Sequence, residues 1–398
     1  MDMNKKISLL IILFLGIMPF VEAQSDTKIR VKGVVLNEQT NEPVGFANIG
    51  LLGTVAGVAS DMDGHFELVV PNLYVNHVLR VSAVGFTVKD IKLSELMNKG
   101  EVKILLKPVV YAIQSVEVTA ESLVYKKLLE RVVSSISMNY IPRPYNYEGY
   151  FKYGVSVNVN EGTPRTKEAI VTIYDKQGYK RSNPAEAFAA LNYHFSQVRR
   201  SAAVSSVEDG MVYFDDVLSA DVVRNTRNVL DVRNLNDFKL VNKGRFLYEG
   251  DTVQIVGYTC KKPTLSNSGS THVLAYSGEI YINLRDAAVV KNVMRVTTKD
   301  FSVMGRNLLI PGDTPKGEVK TTIITNYKRV SSYYFLSGIS VTYFYKQGED
   351  FVKGEMQYQT TKVRLKTLKP IEGRVYFEEV PTDSAFWDRY TIYLEEEE

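Results

Sequence analysis

From Ile29 to Ala120 the chain runs as short stretches rich in Val, Ile and Leu: "IRVKGVVL", "FANIGLL", "HFELVV", "HVLRVSAVGF", "TVKDIKL", "EVKILLK" and "IQSVEVTA". Turn-forming clusters such as "NEQTNEP", "MDG", "PNLYVN" and "LMNKGE" separate them. Period-two apolar runs bounded by turn signals predict strands, and about seven of them in one small unit predict a β-sandwich. Within "GVASDMDGHFELVVP" a β-hairpin turn is expected at Asp61 and Gly64, with Asp61 bonding backbone amides and Gly64 taking a positive φ. Phe66, Leu68 and Val70 then alternate into the core. A calcium loop needs ligands at alternate positions, glycine sixth and glutamate twelfth; here Gly64 and Glu67 come too early.

The period changes at residues 121–139, "ESLVYKKLLERVVSSISMN", where Val124, Leu128, Val132 and Ile136 recur every fourth position. Leu129 and Val133 widen the stripe, which predicts an amphipathic helix with a core-facing side. Pro142 and Pro144 stop it. Long strand-like segments follow, joined by tight connections such as "LRDA" and "KQGED", and the expected arrangement is an antiparallel meander. A second helix is expected over 215–232, with Leu218, Val222, Thr226 and Val229 on one face and Asp215 or Asp216 capping its start. The fold class read from this pattern is mainly β. A transthyretin-like sandwich (24–120) precedes a larger curved antiparallel sheet, a half-barrel over 121–394, covered by one or two helices. Residues 395–398 read as an acidic, solvated tail.

The ends and the totals then set the compartment. Lys5 and Lys6, the apolar run Ile7 to Phe20 and the small-x-small Val21-Glu22-Ala23 make residues 1–23 a secretory signal peptide, cleaved near Ala23–Gln24. The mature chain is expected in the periplasm or at the outer-membrane periphery, soluble, with no transmembrane helix. A net charge of +3 over 398 residues gives no electrostatic case for nucleic acid. Cys260 is the one cysteine, so no intramolecular disulfide forms and apolar cores must hold the fold. The setting of Cys260, "TVQIVGYTCKK", is that of a buried structural thiol.

"GVVLNEQTNEPVGFANIGL", "GVASDMDGHFELVVP" and "LRVSAVGF" together resemble the carboxypeptidase-regulatory-like domain, a transthyretin-like sandwich common at the start of Bacteroidota envelope proteins. Gly33, Val35, Thr40, Pro43, Ala47, Ile49, Asp61, Gly64, Phe66, Gly85 and Phe86 carry the match, while Asn37 replaces the usual aspartate. What the resemblance implies is structural, since these are turn glycines and core positions. The remainder is similar to the second part of Bacteroidota exported proteins with the same first domain, through "LLERVVSSISMNYIPRPYNYEGYFK", "YSGEIYINLRDAAVVKNV" and "SAFWDRYTIYL". In architecture alone it is similar to Lol-type lipoprotein carriers, whose half-barrels shelter acyl chains.

No chemistry-bearing motif emerges. None of the four histidines has glutamate three residues on, HExxH is absent, and so are GxSxG and the phosphate-cradling glycine loops. "SNSGSTH" (266–272) reads as a flexible polar loop. No catalytic, cofactor-binding or metal-binding residue is expected, and no cofactor. The reading is a non-enzymatic exported envelope protein that binds an apolar, lipid-like or envelope ligand or a protein partner, with Val124, Leu128, Val132 and Ile136 in the second domain's interior. Alternatives are a cell-surface glycan-binding protein, from the tyrosine-rich strands, and an outer-membrane-associated transport accessory. The helical segments and the acidic end speak against an integral barrel.

Overall fold

A computed structural model of the protein describes residues 28–54, 56–97, 99–109, 118–158, 165–183, 190–201, 214–303, 306–307, 317–387, 390 and 395–396. The expected signal peptide, residues 1–23, lies outside these.

The first unit is a two-layer sandwich of the seven strands β1 (Lys28–Asn37), β2 (Asn48–Leu51), β3 (Gly57–Ala59), β4 (His65–Pro71), β5 (Val78–Ser82), β6 (Lys89–Lys92) and β7 (Val102–Leu106). One layer has the order β4-β1-β7, with β7 parallel to β1, and the other β3-β2-β5-β6. Alternation along β4 buries Phe66, Leu68 and Val70, with Ile104 of the same layer, against Ile49, Leu79 and Val81 of the facing strands.

The turn at Asp61 is a correction to the hairpin reading. Asp61 Oδ1 accepts the His65 amide at 2.8 Å and Gly64 has φ +78°. However, β3 and β4 belong to different layers, so this is a corner between sheets rather than a hairpin. The reason is the ladder on β1: the Val35 amide donates to the Gly64 carbonyl at 2.8 Å, and a Cβ on Gly64 would lie 2.4 Å from the Val35 oxygen. The chain must therefore cross to β1 at this point, and only glycine fits.

The second unit begins with α1 (Val118–Asn139) and continues through β8 (Tyr145–Val157), β9 (Arg165–Asp175), β10 (Leu191–Arg200), α2 (Phe214–Ser219), β11 (Phe238–Tyr248), β12 (Asp251–Cys260), α3 (Leu265–Ser268), β13 (Val273–Asn283) and β14 (Ala288–Thr298). The pair β15 (Ser302–Val303) and β16 (Arg306–Asn307) precedes the long β17 (Val319–Val330), β18 (Tyr333–Gln347) and β19 (Asp350–Arg364). β20 (Arg374–Val375), α4 (Ser384–Trp387) and β21 (Glu395–Glu396) close the chain. The large sheet runs β11-β12-β13-β14-β17-β18-β19-β8-β9-β10-β20. From β11 to β19 this is the expected meander, whereas β8 to β10, first in sequence, join beyond β19. The two ends of the order do not pair among the described residues, so the sheet is open.

Three further expectations are corrected. The helix over 215–232 is confined to Phe214–Ser219. Beyond it Asp221 Oδ1 accepts the Val223 and Arg224 amides, Asn225 and Asn228 side chains donate to carbonyls of the same segment, and Arg227 has φ +64°. Local side-chain bonds thus replace the helical ladder. The 266–272 stretch contains the short helix α3, held by a Thr264–Asn267 capping box. The acidic end is not wholly a solvated tail, because Glu395 and Glu396 pair in parallel with Lys362 and Val363. β18 leaves β19 after Gln359, which frees ladder groups for this pairing.

Tyrosine abundance has a packing explanation on the sheet's concave side. Opposite Tyr343 lies Gly354, where a Cβ would meet the ring at 2.0 Å, and Tyr358 lies likewise over Gly149. A large ring laid on a neighbouring strand's bare backbone fills the core where the sheet bends. The sandwich docks on the opposite, convex side. There the Met62 amide donates to Gln357 Oε1 at 3.2 Å, Lys328 Nζ to Asn48 Oδ1 at 2.8 Å, and Phe46 covers Gly338.

Candidate functional site

The concave side of the large sheet is mostly filled by the protein itself. On α1, Leu129, Val132 and Ile136 are fully buried and Tyr125 nearly so, packed with Tyr140, Phe238, Leu240 and Val289 in one core. Leu128 is half-buried and Val124 is 60% exposed, so Val124 leaves the expected interior stripe. A strict four-residue step advances 400°, so it drifts about 40° each time around a 3.6-residue helix. Counted back from Ile136, Val124 has turned about a third of the way round, and the buried line passes through Tyr125 instead.

A buried polar network then fixes the 219–231 segment over the sheet. Tyr327 donates to Asp221 Oδ1 at 2.6 Å, and Arg224 pairs with Asp175 while donating to the Gly178 carbonyl at 3.1 Å. Arg181 holds the Leu230 and Asn225 carbonyls at 2.7 and 2.8 Å. The Arg224 guanidinium also lies 4.7 Å from the Tyr179 ring centre. Burial raises the hydroxyls of Tyr140, Tyr145, Tyr147, Tyr179 and Tyr327 well above the usual phenol range, so these rings stay neutral.

Among the described residues this filling leaves open a pocket of about 160 Å³ between the 219–228 segment, residues 268–270 and strands β13, β14 and β17. Its apolar lining is Val222, Val273, Tyr276, Met294, Val296 and Ile323, and its polar rim includes Asp221, Asn225, Thr226, Arg227, Asn228 and Thr321. An apolar cavity near 150 Å³ holds one benzene-sized group. The pocket therefore admits a single side chain or the end of an acyl chain, not a whole lipid tail. None of these positions except Val222 stood out in the sequence. The period-two faces of β13, β14 and β17 carry the signal for the sheet wall, but the irregular 219–228 cover carries none.

Groups with reactive chemistry are elsewhere and are dispersed. Cys260 is buried on β12 and burial pushes its thiol up, which disfavours the thiolate. Asp215 and Asp216 lie in the first turn of α2, with Asp215 beside the Tyr193 hydroxyl. His272 Nδ1 is 3.4 Å from Asp300. Among the described residues no three His, Cys, Asp or Glu side chains are grouped to hold a metal ion. No helix among them is long and apolar enough to cross a membrane.

Among curated proteins the chain is similar to the TonB-dependent receptor SusC of Bacteroides thetaiotaomicron, 28% identical over 166 residues. That covers 40% of this chain, which spans only 16% of the receptor's length. Among solved structures, a DUF1329 family protein of Desulfovibrio piger aligns over 63% of this chain and 95% of its own, at 8% identity and a TM-score of 0.27. A LolA superfamily protein of Nitrosomonas europaea aligns over 61% and 94%, at 8% identity and a TM-score of 0.22. Superpositions this loose add nothing to the account of fold or ligand. Residues 31–118 match the family model of the CarboxypepD_reg-like domain, and the sandwich at the start of this chain is such a domain.

Proposed function

We propose that the protein is a non-enzymatic, exported envelope module that grips a partner through one apolar group seated in the concave pocket. Its setting is the periplasm or the outer-membrane periphery, after removal of residues 1–23. The observation that carries the reading is the size and lining of that pocket: about 160 Å³, bordered by Val222, Tyr276, Val296 and Ile323, in a concave face mostly filled by α1 and the tyrosine core. A carrier of whole acyl chains needs a long open groove. A benzene-scale pocket suits an anchor, either an apolar side chain of an envelope protein or the tip of a lipid chain.

The reading is tested by saturation-transfer NMR with toluene and decanoate as probes. Both are expected to saturate, and Val296→Phe, which fills the pocket from a half-buried position, should abolish the transfer while circular dichroism stays unchanged. Absence of binding to the wild-type protein, or binding that survives Val296→Phe, would overturn it.

A further inference from the structure

The convex side carries a separate recess. A cleft of about 320 Å³ lies between the sandwich and the β8–β10 end of the large sheet. Its floor is aromatic. Tyr390 stacks on Phe386 at 5.1 Å and on Tyr150 at 6.3 Å. The Tyr150 hydroxyl and Arg199 Nη2 both donate to Glu168 Oε2 at 2.6 Å, and the Arg199 guanidinium covers a face of Trp387 at 4.7 Å. The facing wall belongs to the sandwich, where His65 sits between carboxylates, 3.8 Å from Asp61 Oδ1 and 3.7 Å from Glu101 Oε1. His65 and Glu101 are open to solvent, their side chains 55% and 58% exposed.

One group in this cleft is unmatched. Trp387 lines it, is 7% exposed, and its Nε1–H is buried with no hydrogen-bond partner among the described residues. Buried donors in folded proteins are almost always paired, so an orphan bordering a cleft marks an acceptor brought from outside. The chemistry of that acceptor follows from the walls. Four carboxylates, Asp61, Glu67, Glu101 and Glu168, face two cations, Lys32 and Arg199, and Arg199 is already paired with Glu168, so the net charge of the walls disfavours an acidic ligand. A flat cation finds Trp387 already covered by Arg199. Hydroxyl groups meet every demand, since each both donates and accepts: neighbouring hydroxyls donate to the carboxylates and accept from the indole, while the carbon-bound hydrogens of a ring pack on aromatic edges.

The geometry points to a binding subsite for a non-acidic saccharide between sandwich and sheet, with Trp387 as donor and Asp61 and Glu101 as acceptors. It does not depend on the concave pocket, and the cleft joins the two units as ligand sites at domain boundaries commonly do.

Trp387 is the only tryptophan of the chain, so its emission reports on this cleft alone. The full chain is titrated with neutral gluco-, manno-, galacto- and xylo-oligosaccharides, with acidic uronate oligomers as a comparison. A saturable change in emission is expected with at least one neutral series and none with the uronates. By calorimetry, Trp387→Phe, which keeps the ring but removes the donor, and Glu101→Ala, at an exposed position, should each weaken binding about tenfold. Saturating decanoate should leave the titration unchanged, so loss of the concave-pocket reading would not touch this one. No saturable response to any neutral series, stronger binding of uronates, affinity unaltered by both substitutions, or displacement by decanoate would each overturn the proposal.

Discussion

At the scale of single residues, the sheet tolerates one ammonium group in an unfavourable place. Lys291 on β14 stands opposite Tyr281, its Nζ 5.6 Å from the ring centre, and is half-buried. Burial draws its pKa down to about 8, with Glu279 opposing the shift. A lysine whose folded value lies below its unfolded value binds fewer protons when folded. The cost is therefore complete below pH 8 and vanishes as pH rises past about 10.4. In full the shift would amount to about 3 kcal/mol, and partial exposure to solvent brings this to about 1–2 kcal/mol. Lys291→Met is accordingly expected to stabilise the protein by about 1–2 kcal/mol at pH 7, with the gain over wild type shrinking between pH 8 and 10. Urea unfolding of both proteins across that range measures it. A gain that is constant with pH would mean that packing, not charge, is responsible.

At the scale of elements, the sequence disclosed strands more faithfully than helices, for a geometric reason. A strand's period of two carries no accumulating error, so "HFELVV" places Phe66, Leu68 and Val70 inward without ambiguity. A helix's 3.6 does not divide into fours, and the error that misplaced Val124 accumulated over three turns. The 219–231 segment defeated the periodic reading altogether, because Leu218, Val222 and Val229 are all buried at helical spacing. What denies them a helix is Asp221, Asn225 and Asn228 competing for the backbone, and those bonds form only against Tyr327 and Arg181 from distant strands and loops. The pocket, made half from this segment, was hidden for the same cause. The corrected helix face makes a paired prediction for α1. Leu129→Ala, at a fully buried site, should cost about 2–5 kcal/mol, whereas Val124→Ala should stay within about 0.5 kcal/mol. Comparable losses in urea unfolding would restore the original stripe.

At the scale of the whole molecule, the second unit is organised around a charge in its interior. Arg224, at 4% exposure, meets Asp175, at 0%, where the turn after β9, the irregular cover and the tyrosines of several strands converge. Burial pushes the Asp175 carboxyl up, while Arg224 and the amides of Gln177 and Gly178 draw it back. Such a pair adds little over an apolar core, yet breaking it from one side strands a charge without water. Arg224→Met should therefore cost about 3–5 kcal/mol at pH 7, and adding Asp175→Asn should recover a good part of that loss. The pH sign follows from the unpaired carboxyl. Its folded value would then stand above its unfolded value, so the deficit of Arg224→Met should ease as pH falls from 7 towards 4, where protonation removes the stranded charge. Since the same network holds the lid of the concave pocket, probe binding at pH 7 should weaken along with stability and return with the double substitution. Stability lost without any recovery at low pH would show that Arg224 acts by filling space, and the interior charge would no longer explain how the cover is held.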